Sequence, residues 1–241
     1  MGSEMCIRDR GVVLRTYRLG EADRIIVLLT AGRGKVRAVA KGVRKTSSRF
    51  GSRLEPTTHV ALQLYEGRSL DTVTQVEAID TFAAVRGDLD RLSRASTLLE
   101  ACDQVAQEGE PNLRLLQMLV GALRALEACD SAVLVPAFFL KLLAAEGTQP
   151  LLDACATCGA LDGLVAFDHA QGGTLCRAHR GGGVPVSDAA LELCRRILGG
   201  GLGAALGEQA SATTAEVDAL ATRALEVNLE RRLRSAHLLD R

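Results

Sequence analysis

Near residue 80 the spacing of apolar side chains changes from every second position to every third or fourth, and this change limits the fold more than any other feature of the chain. Before it, short β-rich stretches follow one another. Gly11 to Arg18 is rich in Val, Leu, Thr and Tyr, Arg24 to Thr30 is an apolar β-branched run, and Lys35 to Ala40 alternates basic with apolar side chains. Each stretch is closed by turn residues. Leu19-Gly20-Glu21 ends the first and Ala31-Gly32-Arg33-Gly34 the second; Pro56 precedes a fourth strand, Thr57 to Tyr65, and Glu66-Gly67-Arg68 turns into a fifth, Leu70 to Glu77. Five short antiparallel strands predict a small barrel, for which the five-stranded oligonucleotide-binding barrel is the commonest arrangement.

After the change the pattern is helical. Leu89, Leu92, Ala95, Ser96, Leu99 and Cys102 share one face of a first helix, and Leu113, Leu116, Leu119, Val120, Leu123 and Leu126 share that of a second, with Pro111-Asn112 between them. A third helix from about Ala132 to Glu146 stops at Gly147, with Pro150 beyond. Ser187 is expected to cap a later helix ending near Leu198, and Thr213 with Glu216 three residues on predicts a capping box for the last one. The expected fold class is α+β. A five-stranded barrel occupies residues 1–80, and an α-helical domain follows over 81–241 with a zinc-binding insertion at about 151–183.

At 241 residues and 47% hydrophobic, the chain can bury a sizeable core. Its apolar runs fall far short of the roughly 20 residues a membrane span needs. The start lacks the basic head and apolar run of a secretion signal, so the cytoplasm is the expected location. Met1 to Arg8 reads as an appended or wrongly assigned start and is set aside.

Charge is distributed unevenly. The chain is formally neutral, yet residues 1–80 hold 14 basic against 9 acidic side chains and the remainder 15 against 20. Eight bases and no acid fall between Arg33 and Arg53: Arg33, Lys35, Arg37, Lys41, Arg44, Lys45, Arg49 and Arg53. Because salt screens charge over about 8 to 10 Å, such a surface acts as its own patch, and a polyanion such as nucleic acid is the expected partner. A solvated loop with scattered charge has the same composition. Alternation along the third strand puts Lys35, Arg37 and Val39 on one face and Val36, Ala38 and Ala40 on the other. Aromatic residues are few, with no Trp, two Tyr and five Phe, so backbone charge must carry most of any affinity for single strands. Tyr17, Phe50 and Tyr65 are the aromatic candidates near the basic run, each more readily read as a core or rim residue.

A different chemistry lies between the third helix and Ser187. Cys155-x2-Cys158 is followed, after seventeen intervening residues that begin with Gly159, by Cys176-x2-His179. A two-residue gap lets a tight turn aim two side chains at one ion, and two such turns complete a tetrahedral shell. One structural zinc ion held by Cys155, Cys158, Cys176 and His179 is expected, with His169 and Cys194 as alternative ligands outside such turns. A closed shell leaves no position for water, which argues against catalysis by the metal. His-Glu-x-x-His, the phosphate-binding loop, the nucleophile elbow and the deaminase signature are all missing, and His59 and His237 make poor general bases; no enzymatic activity is expected.

Specific stretches resemble the RecO family of bacterial DNA repair and recombination proteins. Gly11-Val12-Val13-Leu14-Arg15-Thr16 with Gly20-Glu21-Ala22-Asp23-Arg24 is similar to the family's opening. Gly34-Lys35, Ala40-Lys41-Gly42-Val43-Arg44-Lys45, Ser48-Arg49 and Leu54-Glu55-Pro56 are similar to its third strand and following loop. Cys155 to His179 resembles its pair of knuckles, with His179 where Cys is as frequent, and Leu229 to Ser235 resembles its closing helix. The resemblance runs from about Gly11 to Leu238 and implies a mediator of the RecF pathway, nucleoid-associated in a bacterial cytoplasm. Such proteins bind single- and double-stranded DNA, anneal complementary strands, and with RecR help load RecA onto DNA coated by single-strand binding protein. Carried over by position, Lys35, Arg37, Lys41, Arg44, Lys45 and Arg49 would contact DNA. The rival reading is a zinc-containing interaction adaptor with no direct DNA role, with Arg231, Arg232 and Arg234 as candidates for an acidic partner.

Overall fold

A computed structural model describes residues 6–45, 48 and 50–236. Met1 to Met5, Arg49 and His237 lie outside them. The chain forms two compact units, Met1–Ala128 and Cys129–Arg241.

In the first unit, β1 (Cys6–Leu19), β2 (Asp23–Thr30), β3 (Gly34–Ala40), β4 (His59–Tyr65) and β5 (Asp71–Asp80) close into a barrel in the order β1-β2-β3-β5-β4. This is the expected oligonucleotide-binding arrangement. Two details differ from expectation. One pair is parallel: β5 meets β3 through Ala38↔Asp71 and Val39↔Thr72, because closing a five-stranded sheet with this order brings its last strand beside its third. The first strand also starts earlier, at Cys6, within the segment that composition had set aside. Cys6 to Arg10 pair with Tyr65 to Ala61 and supply the partner that β4 needs at the barrel's seam.

The barrel interior follows the period-two pattern: Val13, Ile26, Leu28, Val36, Ala38, Val60, Leu62, Leu64 and Val73 point inward. A 3-10 turn at Gly51–Leu54 brings Phe50 and Leu54 into the same core. Helices α1 (Ala83–Gly87), α2 (Leu89–Val105) and α3 (Leu113–Ala128) belong to this unit, with α2 packed on β1 and α3 on β1 and β2. Asp88 caps α2 by accepting from the Arg91 N–H. The Glu127 carboxylate caps α1 by accepting from the N–H groups of Ala84 and Val85, at 3.0 Å each.

The connection between α2 and α3 crosses the start of β3. The Lys35 N–H donates to the Gln107 carbonyl at 3.0 Å, and Glu108 bridges to Gly34 and Lys35. Gly34 is there at φ +65°, where a Cβ would stand 1.9 Å from the Glu110 carbonyl oxygen.

The second unit is built on α4 (Leu134–Ala145), buried on nearly every side as its continuous apolar sequence requires, and packed against α5 (Asp188–Leu198) and α7 (Ala212–Asn228), with the short α6 (Leu202–Ala205) between them. Strands β6 (Leu164–Asp168), β7 (Gly173–Cys176) and β8 (Val184–Pro185) form a sheet in the order β7-β6-β8. Ser187 caps α5 as expected, its side chain accepting from the Ala190 N–H. The expected Thr213–Glu216 capping box does not form. Ser211 and Thr214 make the box two residues earlier, and the Glu216 carboxylate instead accepts from the N–H and hydroxyl of Ser187, both at 2.6 Å. Both termini had competent caps in sequence; the tertiary partner for Glu216 decided between them. No helix among the described residues is long and apolar enough to cross a membrane.

Substituting Gly34 by Ala is expected to cost at least about 2 kcal/mol, because left-handed strain adds to the clash with Glu110. Urea unfolding reads the loss, and wild-type stability would mean that the α2–α3 connection does not close on β3.

Candidate nucleic-acid interface and metal centre

The basic run divides into two groups. Arg33 and Lys35 are engaged by carboxylates within the first unit. The Arg33 guanidinium hydrogen-bonds the Asp71 carboxylate and lies 3.9 Å from Glu66. The Lys35 ammonium donates to the Asp103 carbonyl at 2.6 Å and stands 3.6 Å from its carboxylate, with the side chain only 18% exposed. Both positions therefore serve the fold.

Arg37, Lys41, Arg44 and Lys45 are exposed, and none forms an ion pair with a described residue. The turn that carries three of them is held in place. Gly42 donates its N–H to the Asp23 carboxylate at 2.7 Å, and the Arg44 N–H and guanidinium donate to the carbonyls of Ala22 at 3.0 Å and Glu21 at 2.9 Å. Val43 packs against the barrel core beneath. Four cations are thus presented from β3 and the following turn, beside the β1–β2 turn, on a braced backbone. Arg53 is exposed in the 3-10 turn, and Arg49 lies outside the described residues. Of the aromatic candidates, Phe50 is 2% exposed and belongs to the barrel core, whereas Tyr17 and Tyr65 are exposed at 42% and 38%.

Sequence reasoning missed Arg15 and Asp103. The Asp103 carboxylate on α2 is 6% exposed and forms an ion pair with Arg15, whose Nε lies 3.1 Å from it. One arginine on a strand and one aspartate in a helical pattern carry no local signal; only the packing of α2 on β1 makes them a pair.

In the second unit, Cys155, Cys158, Cys176 and His179 converge, with all four donor atoms within 4.8 Å of one another. The Sγ atoms of Cys158 and Cys176 lie 3.9 Å apart, and the His179 Nδ1 lies 3.4 Å from Cys176 and 3.9 Å from Cys155. In the first knuckle, Cys155 donates its N–H to the Ala160 carbonyl and accepts from Gly159, at 2.8 Å each, with Gly159 at φ +74° as its turn requires. In the second, the His179 N–H donates to the Cys176 carbonyl at 2.9 Å. The Cys176 N–H foremost, with others in the first knuckle, draws the Cys155 thiol down to about 6. The hydrogen bond between His179 and Cys176 lowers that thiol as well. Three cysteine sulfurs, two of them drawn toward the thiolate, and an imidazole aimed at one point are a donor set that could hold a metal ion.

The alternative ligands are elsewhere. Cys194 is buried in α5, and burial pushes its thiol up to about 12, so it stays protonated and inert. The His169 ring packs edge-on against Phe167 at 5.0 Å, with a buried Nδ1 that has no hydrogen-bond partner among the described residues.

A closed five-stranded barrel with a braced basic turn, followed by helices and a Cys3His group, defines the class: a protein with an oligonucleotide-binding-type barrel and a second unit that carries four side chains able to hold a metal ion. The chain belongs to the RecO family. The family models for recombination protein O match residues 5–82 (N-terminal) and 86–237 (C-terminal). Among curated relatives, the DNA repair protein RecO of a Nocardioides species is 44% identical over 98% of this chain and 100% of its own length. That of Frankia casuarinae is 45% identical over 97% of this chain and 98% of its own, and that of Thermobifida fusca 41% over 97% and 98%. A role in DNA repair and recombination follows from membership.

Burial, then the nearby Arg223, lowers the pKa of His169 from its ordinary 6.5. The stability its neutral ring contributes is therefore complete above 6.5 and is lost as pH falls through the lowered folded value. Replacing His169 by Asn should flatten the decline in thermal midpoint below pH 6.5, with a residual slope from His59, whose pKa burial lowers in the same sense. An unchanged slope would show that the ring is solvated.

Proposed function

We propose that the protein grips the phosphates of single- and double-stranded DNA with the exposed cations of β3 and its following turn, holds complementary strands while they anneal, and with RecR assists the loading of RecA onto DNA coated by single-strand binding protein. The observation that carries the reading is the set Arg37, Lys41, Arg44 and Lys45, unpaired among the described residues and mounted on a braced turn. Phosphate contacts fix position without reading sequence, and they leave base edges free to find a complement. Such a protein breaks no covalent bond. Arg49 and Arg53 extend the same segment, while Arg33 and Lys35, held by Asp71 and Asp103, support the surface from within.

Four side chains that each neutralise a phosphate give a single-strand salt slope near −3, so raising salt from about 50 to 200 mM weakens binding roughly fifty-fold. Replacing Arg44 and Lys45 by Ala should flatten the slope by about 1 to 1.5 and weaken all sequences alike. A fluorescent oligonucleotide titrated across a salt series, followed by its complement, reads both the slope and annealing. No binding at low salt would remove the DNA grip and leave the interaction adaptor as the better reading.

The Cys3His group is proposed to hold one structural zinc ion. With metal–sulfur bonds of about 2.3 Å, tetrahedral geometry places ligand sulfurs roughly 3.8 Å apart, close to the 3.9 Å between Cys158 and Cys176. Its chemistry would be to cross-link the two knuckles, with no open position for water. Elemental analysis should find one zinc per wild-type chain and none in Cys176→Ser, whose ribbon should become sensitive to protease. A metal-free wild type with a protease-resistant ribbon would overturn the assignment.

A further inference from the structure

The pairing registers set the outer side chains of the barrel in rows. Arg15, Val27 and Arg37 form one row across β1, β2 and β3, and Tyr17, Ile25 and Val39 form the next. The first row carries two exposed cations at its ends. The second begins with an aromatic ring that the fold does not bury. All five Phe are buried, whereas Tyr17 is 42% exposed on the same face as Arg37.

That ring is held. The Arg15 guanidinium carbon lies over its face, 5.0 Å from the centroid, and the Nε of the same guanidinium is ion-paired with the buried Asp103 carboxylate at 3.1 Å. A helix residue thus fixes an arginine, and the arginine fixes the ring. An ordered, half-exposed aromatic beside Arg37, Lys41, Arg44 and Lys45, which form no ion pair among the described residues, matches one ligand chemistry, a polyanion with unstacked planar groups. Val39 lies two strand spacings, about 10 Å, from Tyr17, and Lys41 continues that strand's end into the turn. Long basic side chains on β3 can therefore meet phosphates close to a base resting on the ring.

We propose that Tyr17 is a stacking platform for an unpaired DNA base, with Arg15 and Asp103 as its positioning residues. The proposal rests on the phosphate-grip reading and adds a second source of affinity that charge does not supply. Duplex bases are already stacked on one another and gain nothing from the ring. The platform therefore biases the protein toward single strands, and toward any sequence equally, because every base has a π-face.

The test compares an oligodeoxythymidine with an abasic strand of equal length and charge, using the full chain at fixed salt. Wild-type protein should bind the strand with bases roughly 5- to 150-fold more tightly. Tyr17→Leu should lose that discrimination while keeping the wild-type salt slope, and Tyr17→Phe should retain both. Since Tyr17 and Tyr65 are the two tyrosines of the chain, Tyr65→Phe leaves Tyr17 as the sole tyrosine fluorophore, whose emission should be quenched by oligodeoxythymidine and not by the abasic strand. Full discrimination in Tyr17→Leu, or absence of quenching with tight binding, overturns the platform and leaves the phosphate grip intact. If neither strand binds at low salt, both fall together. Binding of both strands with equal affinity by wild type leaves charge alone, and the exposed ring then suits an apolar group of a partner protein.

Discussion

The buried carboxylate of Asp103 is where helix α2 and the barrel are joined, and much of the first unit's charge arrangement depends on it. An acid in the last turn of a helix is poorly placed with respect to the helix dipole. Two cations from the barrel reverse that penalty: Arg15 from β1 and Lys35 from β3, with the Lys35 ammonium also donating to the Asp103 carbonyl, one of the terminal carbonyls left without an intrahelical partner. The backbone N–H of Lys35 then binds Gln107, so one residue of β3 fastens both the end of α2 and the chain that leaves it. Arg15 is half exposed and its pairing is screened by solvent, whereas the Lys35 side chain is largely enclosed, so the lysine arm is the stronger tie.

That tie sorts the basic run. Eight like charges within one short segment repel one another, and a fold that presents them must supply opposite charge somewhere. Asp71 and Asp103 do so at the upstream end, where Arg33 and Lys35 enter β3. The downstream turn is braced by neutral carbonyls and by Asp23 binding a backbone N–H, which fixes the backbone without cancelling the side-chain charge. The segment is therefore structural at one end and available at the other. Charge counting in the sequence locates the segment but cannot divide it, because the dividing carboxylates come from positions 71 and 103.

The same distinction explains what was legible. Period-two patterns closed by Gly20, Gly34 and Gly67 placed three strands, β2, β3 and β4, to within a residue or two of their observed limits, and the two-residue knuckles brought four potential metal ligands together as their spacing required. Those signals are local and act through backbone geometry. What sequence did not yield depends on a distant partner: β1 beginning at Cys6 because β4 needs a neighbour, β5 running parallel to β3 to close the barrel, and Glu216 leaving its own helix start to cap Ser187. The short α1 falls in the same group. Its N-terminal donors are satisfied by Glu127, more than forty residues downstream, so nothing near Ala83 announces a helix.

The distribution of aromatic residues bears on how such a barrel would promote the annealing proposed for it. A surface paved with stacking platforms would hold each base flat against protein and compete with the complement for it. Here the barrel interior takes Phe50, and the described outer face of β1–β3 offers Tyr17 alone among four unpaired cations on β3 and its turn. Phosphates neutralised by these cations, as proposed, would repel an approaching strand less, while most bases would stay free to pair. On the proposed reading, a single ring would orient the strand at one point without holding the rest of it. Affinity for the backbone and freedom of the bases are opposing demands, and a basic, aromatic-poor face meets both.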